Sequence, residues 1–223
     1  MSDLAVYDMD RTVTRRPTYT PFLIHCALRR APLRLLLLPA VVLAMLAYVT
    51  RLIDRAALKE FCQALLLGRK IHPGDLQPLV ESFAEATIAH NIRPGARMAI
   101  ARDKAEGRRL VLATASYRLY ADAIARRLGF DDVIATGSII GLDDRVHAKI
   151  AGENCYGPAK RRMIADWVEQ SGLLGKHGHV RFYSDHASDE PVFEWSDEPV
   201  AVNPHRRLAQ LAKSRGWAVE DWG

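Results

Sequence analysis

Cysteine is scarce in this 223-residue chain, and no two cysteines stand in a CxxC spacing. Cys26, Cys62 and Cys155 form an odd, scattered set, which argues against a disulfide framework and against a structural zinc site. His177 and His179 lie in a glycine-rich loop, where the sequence favours an exposed loop over a metal pair. We therefore expect this protein in a reducing, cytoplasmic compartment.

Internal repeats, low-complexity segments and a basic-then-apolar leader are also missing, so the sequence predicts no signal peptide. The apolar fraction of 49% and the charged fraction of 26% are typical of a folded protein. The formal net charge of +5 favours anionic partners such as phosphate esters or an anionic lipid surface, although a solvated basic surface explains it equally well. The basic residues are dispersed without an aromatic-basic module, so we expect no nucleic-acid partner.

An apolar run at Leu4–Tyr7 ends in two aspartates, Asp8 and Asp10, and Thr12 follows them. A buried strand of this kind places the carboxylates where the chain leaves the sheet. If the chain is extended there, the two aspartates point the same way, because side chains alternate with a period of two. Converging carboxylates repel each other unless a cation lies between them, so this stretch predicts a cation site.

Strand-like and helix-like segments alternate in the second half of the chain, which predicts parallel βαβ units. We expect strands at 109–113, 132–135, 180–183 and, as the last strand, 199–202, and a loop or hairpin at 137–157. Helices are expected at 97–106, 119–128, 158–171, 192–195 and 206–215, with Gly129 ending the second of them. In the first half of the chain we expect helices at 55–67, capped by Asp54, and from residue 73 or 75 to 87. The predicted fold class is α/β, a Rossmann-like parallel sheet with helices on both faces and a helical cap inserted after the first strand. The predicted domains are a core of residues 1–15 and 92–223 and a cap of residues 16–91.

The predicted cap contains an uncharged run at 35–50, preceded by Arg29, Arg30 and Arg34 and followed by Arg51. A single membrane crossing would need about 20 residues and would separate the first strand from the other strands of its sheet. An interfacial helix or a dipping hairpin on anionic lipid, formed by residues 29–53, avoids this problem. A buried cap helix and a dimer contact stay open as alternatives, and the sequence does not determine the oligomeric state.

Polar residues follow the other predicted strands and helices at the same edge of the sheet. In open parallel sheets ligands bind at the carboxyl ends of the strands. Asp8 and Asp10 would meet there with Thr114, which has Ser116 behind it, with Lys160 at a helix start, and with Asp185 and Asp189 after a strand. Carboxylates suit Mg²⁺, whereas a lysine and a hydroxyl suit a phosphate, so this constellation predicts a site for both.

The pieces DMDRT, ATAS, the lysine of CYGPAKRRMI and YSDHASD resemble the four motifs of the haloacid dehalogenase superfamily of phosphatases. The insertion resembles the first cap type of that superfamily. The segments around residues 136–160 and 201–217 resemble subfamily IB, which includes phosphoserine phosphatase-like enzymes. The resemblance covers roughly residues 3–15 and 94–217, and it implies a haloacid dehalogenase-like catalytic core with a helical cap.

The resemblance also implies a role for each motif residue. Asp8 would be the nucleophile that forms an aspartyl-phosphate, and Asp10 would be the general acid and then the base. Thr114 and Lys160 would hold the phosphoryl oxygens. Mg²⁺ would be bound by Asp8, by the backbone carbonyl of Asp10 and by Asp185, with Asp189 supporting the metal site. The implied enzyme is a Mg²⁺-dependent phosphomonoester hydrolase.

Two departures from the family bear on the substrate. Arg11 stands where the family usually has glycine or serine, and its role is left open. Pro17 stands where phosphoserine phosphatases carry a glutamate, which argues against phosphoserine. The cap resembles that of phosphatidylglycerophosphate phosphatases, so we expect a membrane-presented anionic ester such as phosphatidylglycerophosphate. The chain would then be peripheral on the inner face of the membrane.

Two alternatives remain at this point. One is a soluble small-metabolite phosphatase of the phosphoserine type, which would have no need of a lipid surface. The other is a non-enzymatic regulator that binds a partner through the apolar cap. The sequence speaks against a regulator, because every catalytic position that the family expects is filled.

Overall fold

The structure, a computed structural model, describes residues 3–173 and 178–223, so His177 lies outside the described residues. An eight-stranded sheet forms the centre of this part of the chain, in the order β2-β5-β4-β3-β1-β6-β7-β8. The strands are β1 Leu4–Tyr7, β2 Lys70–Ile71, β3 Arg109–Tyr117, β4 Asp132–Ile140, β5 Val146–Ala151, β6 Val180–Ser184, β7 Glu198–Val202 and β8 Ala218–Glu220.

Strand β1 lies in the middle of the sheet, between β3 and β6, and is parallel to both. The pairs β3–β4, β6–β7 and β7–β8 are also parallel, whereas β5 is antiparallel to both β4 and β2. Because parallel strands end at the same edge, the residues that follow β1, β3 and β6 are brought together there. This is the edge at which the sequence predicts that the polar residues meet.

Helices cover both faces of the sheet, which confirms the predicted α/β fold class. The helices are α1 Tyr19–Arg30, α2 Leu38–Val49, α3 Arg55–Leu66, α4 Pro73–His90, α5 Pro94–Ala105, α6 Arg118–Leu128, α7 Pro158–Ser171, α8 Glu190–Phe193 and α9 Arg206–Arg215, with a 3₁₀ helix Pro32–Leu37 before α2. Leu4 and Val6 pack into one core cluster with residues of α7, α8 and α9. Ala5 and Tyr7 point the other way, into the cluster that contains α5, α6 and the cap helices.

Helices α1 to α4 are inserted between β1 and α5, and the two connecting segments run side by side. Thr14 and Ile92 form an antiparallel bridge, and Arg93 N donates to Val13 O over 3.0 Å. The chain therefore leaves and re-enters the sheet region at one place. The exact limits 1–15, 16–91 and 92–223 stay a prediction.

Several predicted elements agree closely with the structure. Helix α7 has the predicted bounds, and Gly129 ends α6 in a left-handed conformation with φ 81°. Asp54 caps α3, because its carboxylate accepts a hydrogen bond from Ala57 N over 2.7 Å. The predicted loop or hairpin at 137–157 contains the antiparallel hairpin of β4 and β5, although β4 extends to Ile140 rather than ending at residue 135.

Several predictions about the strands and helices were wrong. Helix α8 spans Glu190–Phe193 rather than 192–195. Residues 199–202 are not the last strand, because β8 follows and pairs with β7. The cap, which was predicted to be helical, also contains a short strand, β2, which pairs with β5. Both strands have only two or three residues, too few for a periodic pattern, and tertiary pairing forms them. Helix α5 begins at Pro94 rather than Arg97, because proline suits the first helical turn.

The uncharged run of the cap lies on the outside of the molecule. In the described residues, the helical segment Pro32–Val49 is long and apolar enough to span a membrane, with a mean hydropathy of 2.1, yet only 11% of it is buried. Within α2 only Val41 and Ala44 are buried. The run is therefore not a buried cap helix of this chain.

Candidate active site

Asp8, the first residue after β1, forms a buried ion pair with Lys160. Lys160 lies in the first turn of α7 and is 2% exposed. Its ammonium donates to Asp8 Oδ1 over 2.8 Å and to Asp189 Oδ2 over 2.7 Å. One buried lysine therefore links a residue from the end of β1 to one from the segment after β6.

The charges of this group depend on one another. Burial raises the pKa of the Asp8 carboxyl to about 7; Lys160 opposes the rise, and Asp189 and Asp185 add to it. Burial disfavours the charge of Lys160, but Asp189 and Asp8 outweigh burial and raise the pKa of its ammonium. Lys160 is therefore firmly charged and helps to keep Asp8 ionised in a buried position.

Thr12 connects Asp8 with Asp185. Its hydroxyl lies 3.1 Å from Asp8 Oδ2 and 3.3 Å from Asp185 Oδ1, and it accepts a hydrogen bond from Asp185 N over 3.0 Å. A hydroxyl has one proton and cannot donate to two carboxylates at once. Burial, followed by the charge of Asp189, raises the pKa of Asp185 to about 6. Two crowded carboxylates thus face each other across one hydroxyl.

This arrangement fits a hard divalent cation. Within residues 3–173 and 178–223, no three side chains of His, Cys, Asp or Glu converge on one point as a closed metal site would require. Mg²⁺ does not require such a cage, because it usually takes one or two carboxylates and completes its shell with water and substrate phosphate. Asp8, Asp185 and the backbone carbonyl of Asp10 could hold it, and Asp189, whose Oδ1 is buried without a hydrogen-bond partner in the described residues, could support it.

Asp10 has a separate set of partners. Its Oδ1 accepts from Thr18 N over 2.8 Å and from the Thr18 hydroxyl over 2.7 Å, and its Oδ2 accepts from the Ser116 hydroxyl over 2.7 Å. The Tyr120 hydroxyl donates to Ser116 over 2.8 Å. The chain does not stay extended after Asp8, because Met9–Val13 forms an irregular turn. Asp8 and Asp10 therefore face one pocket but are held by different groups.

Thr114 lies near the end of β3, is fully buried and lines the same pocket. Its hydroxyl accepts a hydrogen bond from Ser116 N over 3.0 Å, at the place in β3 where the pairing with β4 shifts register between Thr114 and Tyr117. The structure thus brings together every predicted site residue. Five of them come from β1, β3 and β6, or from the turns that follow, and Lys160 comes from α7.

The pocket has a volume of about 340 Å³ and is enclosed by residues from both the core and the cap. It is lined by Asp8, Asp10, Arg11, Pro17, Tyr19, Thr20, Arg55, Thr114, Ala115, Tyr156, Lys160, Asp185, His186, Ser188 and Asp189. Arg11, whose role the sequence left open, has a left-handed backbone with φ 67° and faces this pocket. A substrate in the pocket would therefore contact cap residues as well as the catalytic carboxylates.

Sequence reasoning missed the residues that hold the catalytic groups in place. Thr12 was noted only for its position, and Thr18, Tyr120 and Arg55 were not considered as site residues. Lys59 of α3 was also missed, although its buried ammonium donates to Ala115 O over 2.6 Å. No spacing in the sequence signals these contacts, because most of them join segments that are far apart along the chain.

Known proteins resemble this chain in sequence and in fold. A family model of the haloacid dehalogenase-like hydrolases matches residues 5–194. Phosphoserine phosphatase SerB1 of Mycobacterium tuberculosis is 30% identical over 169 residues, which cover 76% of this chain and 53% of that protein. A histidinol-phosphatase of Neisseria meningitidis is 29% identical over 140 residues, which cover 62% of this chain and 63% of that protein. The chain thus spans about half to two thirds of the length of these relatives.

Solved structures extend the comparison. A protein of unknown function from Bordetella pertussis Tohama I superposes with a TM-score of 0.90 at 27% identity, covering 100% of both chains. A substrate-bound phosphoserine phosphatase superposes with a TM-score of 0.63 at 14% identity, covering 94% of this chain and 90% of that one, which shows a shared fold. Since the family model spans most of the sequence, from β1 through α8, the chain belongs to the haloacid dehalogenase-like hydrolases.

Proposed function

We propose that this protein is a Mg²⁺-dependent phosphomonoester hydrolase that works through an aspartyl-phosphate. The observation that carries the proposal is the pair of aspartates with separate partners in one pocket. Asp8 is paired with Lys160, as suits a carboxylate that attacks phosphorus. Asp10 is held by Thr18 and Ser116, away from that ion pair, as suits a group that moves a proton.

Each residue of the site has its own role in the proposed reaction. Asp8 attacks phosphorus, and the ester oxygen leaves with a proton from Asp10, which later takes a proton from the water that hydrolyses the acyl phosphate. Lys160 and the Thr114 hydroxyl stabilise the negative charge on the phosphoryl oxygens as it develops. When bound, Mg²⁺ would neutralise charge on the phosphate and on the carboxylates beside it.

Release of 4-nitrophenol from 4-nitrophenyl phosphate, with Mg²⁺ and then with EDTA, tests this chemistry. We expect Asp8→Asn to abolish turnover and EDTA to stop the unmodified enzyme. Asp144→Asn is a matched control, because Asp144 lies in the turn of the β4–β5 hairpin with φ 52°, which asparagine tolerates. Turnover by Asp8→Asn at the unmodified rate would contradict the proposal.

The substrate we propose is an anionic phosphate ester presented at a membrane, such as phosphatidylglycerophosphate. Ten of the 16 exposed large apolar side chains in the described residues lie between Leu28 and Leu52. Arg29 and Arg51 flank this surface with positive charge, as suits anionic lipid, whereas the neighbouring Arg30 forms an ion pair with Asp75 over 3.4 Å. The helical segment Pro32–Val49 would have to lie in the interface, since β1 pairs with strands that follow the segment in sequence.

The position of the apolar surface relative to the pocket supports this substrate. Leu52 is 79% exposed, and Arg55, three residues later, lines the pocket. Three residues of chain span at most about 11 Å, so the apolar surface begins beside the pocket. An enzyme resting on a membrane through this surface would have its pocket close to the headgroups.

Sedimentation with vesicles of phosphatidylglycerol and phosphatidylcholine tests the membrane contact. We expect the unmodified protein in the pellet and the double variant Leu43→Glu/Leu46→Glu in the supernatant. Met98→Glu/Val219→Glu is the matched control, because these side chains are 73% and 58% exposed outside the cap. Equal sedimentation of both double variants, or none of the unmodified protein, would argue against membrane docking.

A soluble small-metabolite phosphatase is the second candidate, because the relative SerB1 is named a phosphoserine phosphatase. Pro17 lines the pocket here and offers no carboxylate to a substrate ammonium group. We therefore expect phosphate release from a lipid phosphomonoester to exceed release from phosphoserine when the two are compared side by side. Turnover of phosphoserine alone would favour the second candidate.

A further inference from the structure

The pocket is lined by three cations, Lys160, Arg11 and Arg55, which differ in how they are paired. Lys160 is paired with Asp8 and Asp189. Arg11 and Arg55 also line the pocket, and in residues 3–173 and 178–223 neither has a carboxylate oxygen within 4 Å. The guanidinium groups of these two arginines are therefore open to an anionic ligand in the pocket.

The Arg55 side chain is held in place without losing its charge. Its guanidinium carbon lies 4.1 Å from the centroid of the Tyr156 ring, a cation–π contact between the cap and the core. An aromatic face orients a guanidinium but adds no negative charge. The donors of Arg55 therefore stay available to a ligand in the pocket.

Lys59 fixes the helix that carries Arg55. It lies one turn further along α3, on the same side of the helix, and is 5% exposed. Its ammonium donates to Ala115 O over 2.6 Å and to Asn154 Oδ1 over 2.9 Å, both of them neutral acceptors. Helix α3 is thus tied to the segment that contains Thr114, and the position of Arg55 is set relative to the phosphate-binding residues.

Arg11 reaches the pocket from a strained backbone. A residue other than glycine in the left-handed region costs on the order of 1 kcal/mol. Two hydrogen bonds hold this turn: Arg11 N donates to the Thr14 hydroxyl over 3.2 Å, and Arg93 Nε donates to Arg11 O over 3.1 Å. The turn thus carries a long cation at a position that glycine would fill with less strain.

We propose that Arg55, together with Arg11, forms a second anion site that selects phosphate esters whose leaving group itself carries a negative charge. The anion would be a carboxylate or a phosphodiester, which a guanidinium binds through paired hydrogen bonds. Leaving groups with an ammonium or a protonated imidazole are disfavoured where they would lie beside these two guanidinium groups. The inference rests on the proposed phosphatase function and adds a specificity-determining residue to it.

A matched pair of substrates tests the second anion site. Glycerol 3-phosphate and 3-phosphoglycerate differ only in a hydroxymethyl group against a carboxylate. We expect kcat/KM to favour 3-phosphoglycerate by about tenfold or more, which corresponds to about 1.4 kcal/mol. Arg55→Gln should reduce this ratio severalfold, mainly because the carboxylate substrate then binds more weakly and its KM rises, and the remainder should depend on Arg11. Arg55→Lys should retain part of the preference.

Two further variants provide a control and a test of Arg11, and a lipid substrate identifies the anion that is bound. Arg69→Gln removes an exposed arginine of the cap that does not line this pocket, so it should leave the ratio unchanged. Arg11→Gly suits the same left-handed backbone and should lower the ratio without lowering the melting temperature. A short-chain phosphatidylglycerophosphate tests the phosphodiester. If its turnover depends on Arg55, the anion is a lipid headgroup; if Arg55 matters only for the carboxylate substrate, the anion is a small-molecule carboxylate.

The outcomes separate this inference from the proposed function. If the unmodified enzyme hydrolyses glycerol 3-phosphate and 3-phosphoglycerate equally well, or if Arg55→Gln leaves their ratio unchanged, the second anion site is refuted and the phosphatase proposal stands. If no ester is hydrolysed, including 4-nitrophenyl phosphate, both proposals are overturned.

Discussion

Replacing Lys59 with methionine should stabilise this protein at pH 6, although the change removes two hydrogen bonds. Burial lowers the pKa of the Lys59 ammonium from the ordinary 10.5 to about 7; Arg55 lowers it further, while Asp10 and Cys155 oppose the fall. A charged ammonium in this position therefore destabilises the folded state. Methionine has a similar length and carries no charge.

The size of the gain follows from the contacts of Lys59. At about 1.4 kcal/mol per pKa unit, the fall from 10.5 to about 7 corresponds to at most about 5 kcal/mol of lost stability. Removing the ammonium forfeits two hydrogen bonds, which together contribute about 1–3 kcal/mol. The Thr136 hydroxyl lies within 3.0 Å of both acceptors, Ala115 O and Asn154 Oδ1, and can serve one of them. We expect a net gain of about 2 kcal/mol.

The gain should depend on pH with a definite sign. In the unfolded chain Lys59 keeps its proton up to about pH 10.5, whereas in the folded protein it loses the proton near pH 7. The folded state therefore binds fewer protons between these values, and its stability rises as the pH rises through them. The advantage of Lys59→Met should be complete below pH 7 and should shrink towards pH 10.

Urea denaturation followed by tryptophan fluorescence, in EDTA at pH 6 and at pH 9.5, measures the effect. With an m-value of about 2 kcal/mol/M, the expected gain moves the midpoint by about 1 M at pH 6. Lys213→Met is the control, because Lys213 is exposed on α9 and its removal should shift neither midpoint. A loss of stability at pH 6, or an equal change at both pH values, would refute the reasoning.

Three further predictions concern buried groups and one helix end. Thr12→Val should lower the free energy of unfolding by about 1–3 kcal/mol, because Asp185 N loses its buried hydrogen-bond acceptor. The variant should melt at a lower temperature and hydrolyse 4-nitrophenyl phosphate more slowly. An unchanged melting temperature would contradict this. Asp54→Ala should lower the free energy of unfolding by about 1 kcal/mol in urea denaturation, because α3 loses its N-cap. The control Asp75→Ala, at an exposed residue inside the first turn of α4, should lower it less. Ellman's reagent at pH 8 should leave the thiols of the folded protein unmodified until urea is added. Burial raises the pKa of both Cys26 and Cys155 to about 12, and it raises the pKa of Cys62 as well, so few thiolates are present. Rapid reaction of the folded protein would contradict this prediction.

Lys59 affects both the stability of the fold and the position of the cap at the pocket. Lys59 is a buried cation whose hydrogen-bond acceptors in the described residues are neutral, which weakens the fold, yet it ties the cap to the segment that contains Thr114. If Lys59→Met is more stable but discriminates less between glycerol 3-phosphate and 3-phosphoglycerate, the destabilising charge serves substrate selection. This would be a trade of stability for specificity, as is common at functional sites.

The predicted polar edge illustrates what a sequence can reveal. Asp8, Thr114 and Asp185 each follow an apolar run, and parallel strands necessarily end at one edge, so their convergence follows from local pattern and topology. The last strand, β8, was not predicted, because its sequence lacks such a local pattern. Ala218–Glu220 has no periodic pattern of its own and exists because β7 offers it backbone hydrogen bonds.

The side-chain partners lay beyond sequence reasoning. Asp10 and Asp8 are two residues apart and look equivalent along the chain. Their different surroundings arise because Thr18 comes from the start of the cap and Ser116 from β3, whereas Lys160 comes from α7. Contacts between segments about a hundred residues apart are set by how helices pack on the sheet, and no local spacing encodes them.

By itself, the sequence determined the α/β architecture, the edge where the polar residues meet and the chemical types gathered there. These follow from strand alternation and from the shared direction of parallel strands. Only the tertiary structure decided which aspartate pairs with Lys160, that Arg55 and Arg11 face the pocket without an ion pair to the residues that the structure describes, and that the apolar run of the cap lies exposed. Pairing and exposure depend on the relative positions of packed elements, which a linear pattern does not contain.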